Sequence, residues 1–163
     1  MFLARPLRGG RRWKLGGRRD SGPRFRSSVS PARPVPEGEE RVFLNPVLRL
    51  PRGTREKQEG CLSLPGVYAN VRRPEEVILH AFELSGDEFE QRIDGMFARV
   101  VQHEIDHLNG VLFIDHLDEE SLDEVTPSLK QFTQEFSDAQ REQRLPSDAH
   151  IAEMRAAWEQ RYG

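Results

Sequence analysis

The sequence MFARVVQHEIDHLNG, residues 96 to 110, combines a helical pattern with the only His-Glu-x-x-His motif in the chain. Its apolar residues, at positions 96, 97, 100, 101, 105 and 108, recur at helical spacing. They cover more than a single stripe, which predicts a helix largely enclosed by protein. Asn109-Gly110 supplies the end of the helix, because glycine suits the left-handed conformation that follows many helices. This stretch therefore predicts a central, buried helix.

Two histidines of this helix lie four residues apart and project from one face, with Cβ atoms about 5 to 6 Å apart. The rings of His103 and His107 can therefore hold one metal ion. Glu104 lies about 100° around the helix from His103, so its carboxylate flanks the metal instead of binding it. There it can take a proton from water and pass it on. Since two unpaired imidazoles would be costly in a buried helix, we interpret the motif as a metal site with Glu104 as general acid/base.

The residues alone leave the third metal ligand open. The longer zinc-protease motif requires a histidine at position 113, and this chain has Phe113 there. A protease that uses a downstream carboxylate, Glu124 or Glu135, remains formally open. The single cysteine, Cys61, can form no internal disulfide, and by itself it is a small buried hydrophobe, a nucleophile or a metal ligand.

The chain divides by charge near residue 36. Residues 1–36 carry ten Lys or Arg and one acid, a net charge of +9, whereas residues 37–163 carry 14 Lys or Arg and 26 acids, a net charge of −12. The first segment is rich in Arg, Gly, Pro and Ser and has no periodicity. We therefore predict a disordered basic tail followed by one folded domain. Three roles of the tail stay open: a transit peptide, a tail with weak contacts to nucleic-acid phosphates, and a stretch without a selected role.

The pattern of the folded part predicts several strands. We expect a strand at 42–44 that Asn45-Pro46 interrupts, and a turn at Leu64-Pro65-Gly66 after a polar loop. Apolar residues at 76–84 and alternation at 89–93 predict a β-hairpin. Combined with the helix of the histidine motif, these elements predict the α+β class, with antiparallel sheets around a central metal-binding helix.

Helical spacing predicts one or two further helices at the C-terminus, packed outside the sheets. The expected packing stripes are Leu122, Val125, Leu129, Phe132 and Phe136, and then Ile151, Met154, Trp158 and Tyr162 after a cap at Ser147-Asp148. No apolar run approaches the roughly 20 residues that cross a bilayer, so we expect no membrane span. We expect a monomer in the cytoplasm, or in an organelle if the basic tail is a transit peptide.

Two motifs, taken together and in this order, resemble the peptide deformylase family. EGCLS, residues 59 to 63, is followed about forty residues later by QHEIDHLNG, and the resemblance extends over about residues 42 to 118. It implies that Cys61 completes the metal site with His103 and His107. It also implies ferrous iron as the ion, with zinc, nickel or cobalt able to replace it, and such a donor set discriminates poorly among these metals.

The same resemblance implies the reaction and the residues that contact the substrate. The expected activity is removal of the formyl group from N-formylmethionine at the start of newly made proteins, near the ribosome, with Glu104 moving the proton. The backbone N–H of Leu62 would help to hold the developing oxyanion. Gly60 and Leu62 would border the substrate, and Val100 would help to line the methionine pocket.

One family motif has no counterpart in this sequence. Deformylases carry a GxGLAAxQ segment whose Gln side chain donates to the oxyanion, and residues 1–58 contain no match. We therefore expect the N-terminal part of the fold to be missing or replaced. This leaves an alternative open, namely a catalytically impaired deformylase-like protein that binds metal.

Overall fold

The computed structural model describes residues 2–4 and 41–162 of the chain. Within them the elements are β1 (Phe2–Ala4), β2 (Val42–Arg52), β3 (Arg55–Cys61), β4 (Leu64–Arg73), β5 (Glu76–Phe82), β6 (Glu88–Asp94), α1 (Gly95–Leu108), a 3-10 turn (Phe113–His116), α2 (Glu119–Arg141) and α3 (Asp148–Tyr162). The strands form a sheet in the order β1-β2-β5-β6 and a separate hairpin, β3-β4. β1 pairs with β2 in parallel, and the other pairs are antiparallel. The predicted α+β class with antiparallel sheets and a central helix is confirmed.

A first apolar core lies between the four-stranded sheet and α1. Successive side chains of a strand point to opposite faces, and β5 turns Val77, Leu79 and Ala81 towards the helix. The helix contributes residues three or four positions apart, which lie on one of its faces. The buried residues of this core are Phe43, Val77, Leu79, Ala81, Ile93, Ala98, Val101 and Ile105.

A second apolar core lies between the β3-β4 hairpin, the 3-10 turn and α2. Its buried residues are Leu64, Val67, Ala69, Val71, Phe113 and Val125. Leu129 and Phe132 of α2 pack against it from the side, so three residues of the predicted α2 stripe do face a core. The other two, Leu122 and Phe136, are 38% and 36% exposed.

Two strand predictions were wrong. Asn45-Pro46 does not end β2, because the strand continues through a register shift between Leu44 and Val47 in which Asn45 has φ 52°. A bulge leaves one residue unpaired, and Asn tolerates the left-handed conformation. Leu64-Pro65-Gly66 is not a turn either: Leu64 pairs with Cys61 across a two-residue turn and begins β4.

The predicted enclosure of α1 is largely confirmed, whereas the predicted packing of α3 was wrong. Along α1 only Gly95, Met96 and Val100 are exposed, with Met96 at 58% and Val100 at 40%. The stripe of α3 is not a packing face, since Ile151, Met154 and Trp158 are 38%, 49% and 66% exposed. The sequence shows apolar residues at helical spacing, but this spacing alone does not show that another part of the protein covers them.

The predicted basic tail falls almost entirely outside the described residues. Its first residues, Phe2–Ala4, form β1 beside Val42–Leu44, where we expected no regular structure. Residues 5–36 are not described. None of the helices in the described part of the chain is long and apolar enough to cross a membrane.

Replacement of Leu79 by alanine should destabilise the fold strongly. Leu79 is fully buried in the first core, and a Leu→Ala change at such a site costs about 2 to 5 kcal/mol of unfolding free energy. Leu84, in the β5-β6 turn, is 75% exposed, so Leu84→Ala should change this free energy by less than about 0.5 kcal/mol. Urea denaturation of both variants measures the difference, and equal effects would contradict the assigned core.

Candidate metal centre

The end of β3 presents Cys61 to the helix. Cys61 is the last residue of the strand, just after a register shift at Gly60. A Cβ at Gly60 would lie 2.6 Å from the ring of Tyr68, so this close approach requires glycine. Within the turn, the backbone N–H of Ser63 donates to the Cys61 sulfur at 3.4 Å. Backbone geometry thus fixes the position of the thiol.

Three side chains converge at this point. The Nε2 atoms of His103 and His107 are 3.2 Å apart, and Nε2 of His107 is 3.2 Å from Sγ of Cys61. All three ligand atoms lie within 4.8 Å of one another. A tetrahedral ion with metal–nitrogen bonds near 2.05 Å and a metal–sulfur bond near 2.3 Å separates its ligand atoms by about 3.3 to 3.6 Å. The cluster therefore fits a single metal ion with little rearrangement.

A buried carboxylate lies behind His103. Oε2 of Glu59 is 3.3 Å from Nδ1 of His103. Arg73 donates from Nε to Oε1 at 2.7 Å and from Nη2 to Oε2 at 3.0 Å, and Nη1 of Arg99 donates to Oε1. The side chains of Glu59, Arg73 and Arg99 are 7%, 4% and 7% exposed. This ionic cluster connects β3, β4 and α1.

The arginines keep Glu59 ionised. Burial on its own raises the pKa of this carboxyl, because a charge is poorly solvated inside protein. The hydrogen bonds and the positive charge of Arg73, together with hydrogen bonds from Arg99 and His103, outweigh burial and hold the pKa below its usual value. The group behind His103 is therefore a carboxylate at neutral pH.

The same cluster extends along the helix to the surface. Arg73 donates from Nη1 to Oδ2 of Asp106 at 2.7 Å, and Nε2 of His116 lies 2.8 Å from that oxygen. Our sequence interpretation missed the buried Glu59, Arg73 and Arg99. Charged residues are rarely fully buried unless paired, and a pairing across distant segments leaves no periodic signal.

The site residues predicted from the sequence line one cavity of about 440 Å³. Its walls include Gly60, Cys61, Leu62, Met96, Val100, His103, Glu104 and His107. Leu62 is fully exposed beside it, and the exposed face of α1 forms one wall. By contrast, Glu124 and Glu135 lie exposed on α2 and are not part of the Cys-His-His cluster. A volume of this size accommodates a small ligand or the end of a peptide.

Comparison with known proteins places these features in a family. The sequence model of the family named polypeptide deformylase matches residues 26–123. A peptide deformylase of Rhodopirellula baltica is 44% identical over 126 residues, 77% of this chain and 63% of that protein. The chloroplastic peptide deformylase 1B of Oryza sativa is 40% identical over 111 residues, 68% of this chain and 41% of that protein.

Solved structures agree with the sequence comparison. A structure of Arabidopsis thaliana peptide deformylase 1B in complex with an inhibitor is similar with a TM-score of 0.61 and 36% identity, over 69% of this chain and 61% of that chain. The chain thus spans less than two thirds of the length of each of these relatives. The family match covers more than half of the chain, and it includes the whole Cys-His-His cluster. The chain belongs to the polypeptide deformylase family.

Proposed function

We propose that this protein is a metal-dependent hydrolase that removes the formyl group from the N-terminal formylmethionine of newly made proteins. The observation that carries the proposal is the convergence of one sulfur and two imidazole nitrogens within 4.8 Å, in the cavity that also contains Glu104. Membership of the deformylase family supports the choice of reaction. Few arrangements other than a metal site explain three such donors at this spacing.

Cys61, His103 and His107 are the proposed ligands, and ferrous iron is the proposed ion, with zinc, nickel or cobalt as replacements. A thiolate with two imidazoles suits each of these metals. When bound, the ion acts as a Lewis acid that polarises the formyl carbonyl and lowers the pKa of water.

The other residues of the cavity have proposed roles in the hydrolysis of the amide. Glu104 takes a proton from the attacking water and gives it to the leaving nitrogen. The backbone N–H of Leu62 donates to the oxygen on which negative charge develops. Gly60 and Leu62 border the substrate, and Val100, 40% exposed on the cavity side of α1, contacts the methionine side chain.

The proposed substrates are formylmethionyl nascent chains, met near the ribosome by a monomeric enzyme. We place the activity in the cytoplasm, or in an organelle if residues 1–36 act as a transit peptide. The similar proteins of Oryza sativa and Solanum lycopersicum are named chloroplastic. The comparisons give no support to a nucleic-acid contact of the basic tail, and it forms no part of this proposal.

The purified protein should bind one equivalent of cobalt(II) and show the absorption of a thiolate-to-cobalt bond. Because Cys61 is the only cysteine, this absorption reports on one site. Cys61→Ala should abolish the band, and His107→Ala should weaken binding by more than about a hundredfold, since loss of an outer partner alone costs 10- to 100-fold. His150→Ala, on the exposed face of α3, should bind as the unmodified protein does. Binding that survives in Cys61→Ala would contradict the ligand set.

Glu104→Gln should retain the metal but lose activity. Removal of a general acid/base costs about a hundredfold to ten-thousandfold in rate. The measurement is release of formate from formyl-Met-Ala-Ser by the ferrous protein, with metal content determined in parallel. Glu120→Gln, at the exposed start of α2, is the control and should leave the rate unchanged.

The same assay tests the second candidate, a catalytically impaired protein that only binds metal. Such a protein would lack an oxyanion donor like the Gln of GxGLAAxQ, and loss of one oxyanion donor costs about 10²- to 10³-fold in rate. Metal binding without measurable formate release by the unmodified protein would establish this candidate and refute the first.

A further inference from the structure

The two histidines of the proposed metal site differ in what lies behind their rings. Both direct Nε2 towards the shared point of the cluster. Nδ1 of His103 lies 3.3 Å from Oε2 of Glu59. Across the described part of the chain, Nδ1 of His107 makes no hydrogen bond, and only its Nε2 has partners. A charged group therefore holds the ring of His103 through Nδ1, and no such group holds the ring of His107.

The carboxylate of Glu59 cannot turn away from His103. Arg73 binds both of its oxygens with a two-pronged pair of hydrogen bonds, and Arg99 adds a third to Oε1. Planar guanidinium groups in such pairs restrict the orientation of a carboxylate. The arginines are themselves held, Arg73 by Asp106 at 2.7 Å and Arg99 by the carbonyl oxygens of Val71 at 3.0 Å and Arg55 at 2.6 Å.

We propose that Glu59, held by Arg73 and Arg99, is a positioning residue of the metal centre that fixes the ring orientation and the tautomer of His103. With Nδ1–H donating to Glu59, the free lone pair of the imidazole is on Nε2, the atom that faces the other two ligands. A carboxylate behind a ligating histidine also makes the imidazole a stronger base. This inference rests on the proposed metal site and assigns to Glu59 a role beyond packing.

The two arginines offset the cost of burying the carboxylate. An isolated ionised group in the interior would lose far more solvation than one hydrogen bond to an imidazole returns. The two guanidiniums supply charge and donors to Glu59, and they leave Oε2 with capacity for His103. A glutamine in this position would place its NH2 group against an arginine or against Nδ1, since donors surround both oxygens. Glu59→Gln is therefore a near-isosteric change that removes the function.

The test compares the cobalt(II) and zinc(II) affinities of Glu59→Gln with those of the unmodified protein, by competition with a chelator. We expect a 10- to 100-fold loss of affinity. The matched control is Glu56→Gln: Glu56 lies on the same strand, is exposed, and pairs with Arg72 at 3.1 Å. It should bind both metals as the unmodified protein does. An unchanged affinity in Glu59→Gln, or an equal loss in both variants, overturns the inference while the metal site itself stands.

A second measurement keeps the inference testable if Glu59→Gln does not fold, which circular dichroism will show. Nitrogen-15 chemical shifts of the histidine rings in the zinc-loaded, unmodified protein distinguish a protonated Nδ1 from a protonated Nε2. We expect His103, identified by the signal that His103→Gln loses, to carry its proton on Nδ1 in a strong hydrogen bond. Metal coordination of His103 through Nδ1 would overturn the inference. Failure of the unmodified protein to bind either metal would instead refute the metal site of the proposed function.

Discussion

The carboxylate of Glu59, between the guanidiniums of Arg73 and Arg99, joins two parts of the molecule that apolar packing leaves separate. One part is the four-stranded sheet with α1, and the other is the hairpin with the 3-10 turn and α2. The hairpin contributes Glu59 and Arg73, and the helix contributes Arg99. Arg99 also reaches the backbone of both hairpin strands. The contact between the two cores is thus largely polar at this point.

Buried ion pairs of this kind add little net stability, because the loss of hydration offsets most of the attraction. Their main effect here is to fix the relative position and orientation of the groups that they join. Apolar contacts tolerate small shifts and rotations, whereas a two-pronged arginine–carboxylate pair holds one distance and one angle. Cys61 follows Glu59 by two residues on β3, and His103 follows Arg99 by one turn of α1. The ionic cluster therefore sets the distance between the sulfur and the imidazoles.

The predictable part of this structure followed from local patterns. Helix α1, the β5-β6 hairpin and the two-histidine motif all depend on spacing within a few residues, which periodicity reports well. The β3-β4 hairpin was missed because the strand β3 carries Arg55, Lys57 and Glu59 where a core face would carry apolar residues. The alternation of Val67, Ala69 and Val71 in β4 was the available signal. The proposed third ligand could not be derived from spacing at all, since Cys61 meets the histidines only through tertiary structure.

The ligands of the proposed site come from both cores, and this has a consequence for the whole fold. A bound ion would cross-link the hairpin to helix α1 and close a loop of about forty residues between Cys61 and His103. The single thiol of this protein can form no internal disulfide that would do the same. Because the unfolded chain keeps the histidine pair but separates it from the cysteine, the ion would favour the folded state by mass action. Metal supply and conformational stability would then be coupled, and a chelator would loosen the hairpin from the helix as well as empty the site.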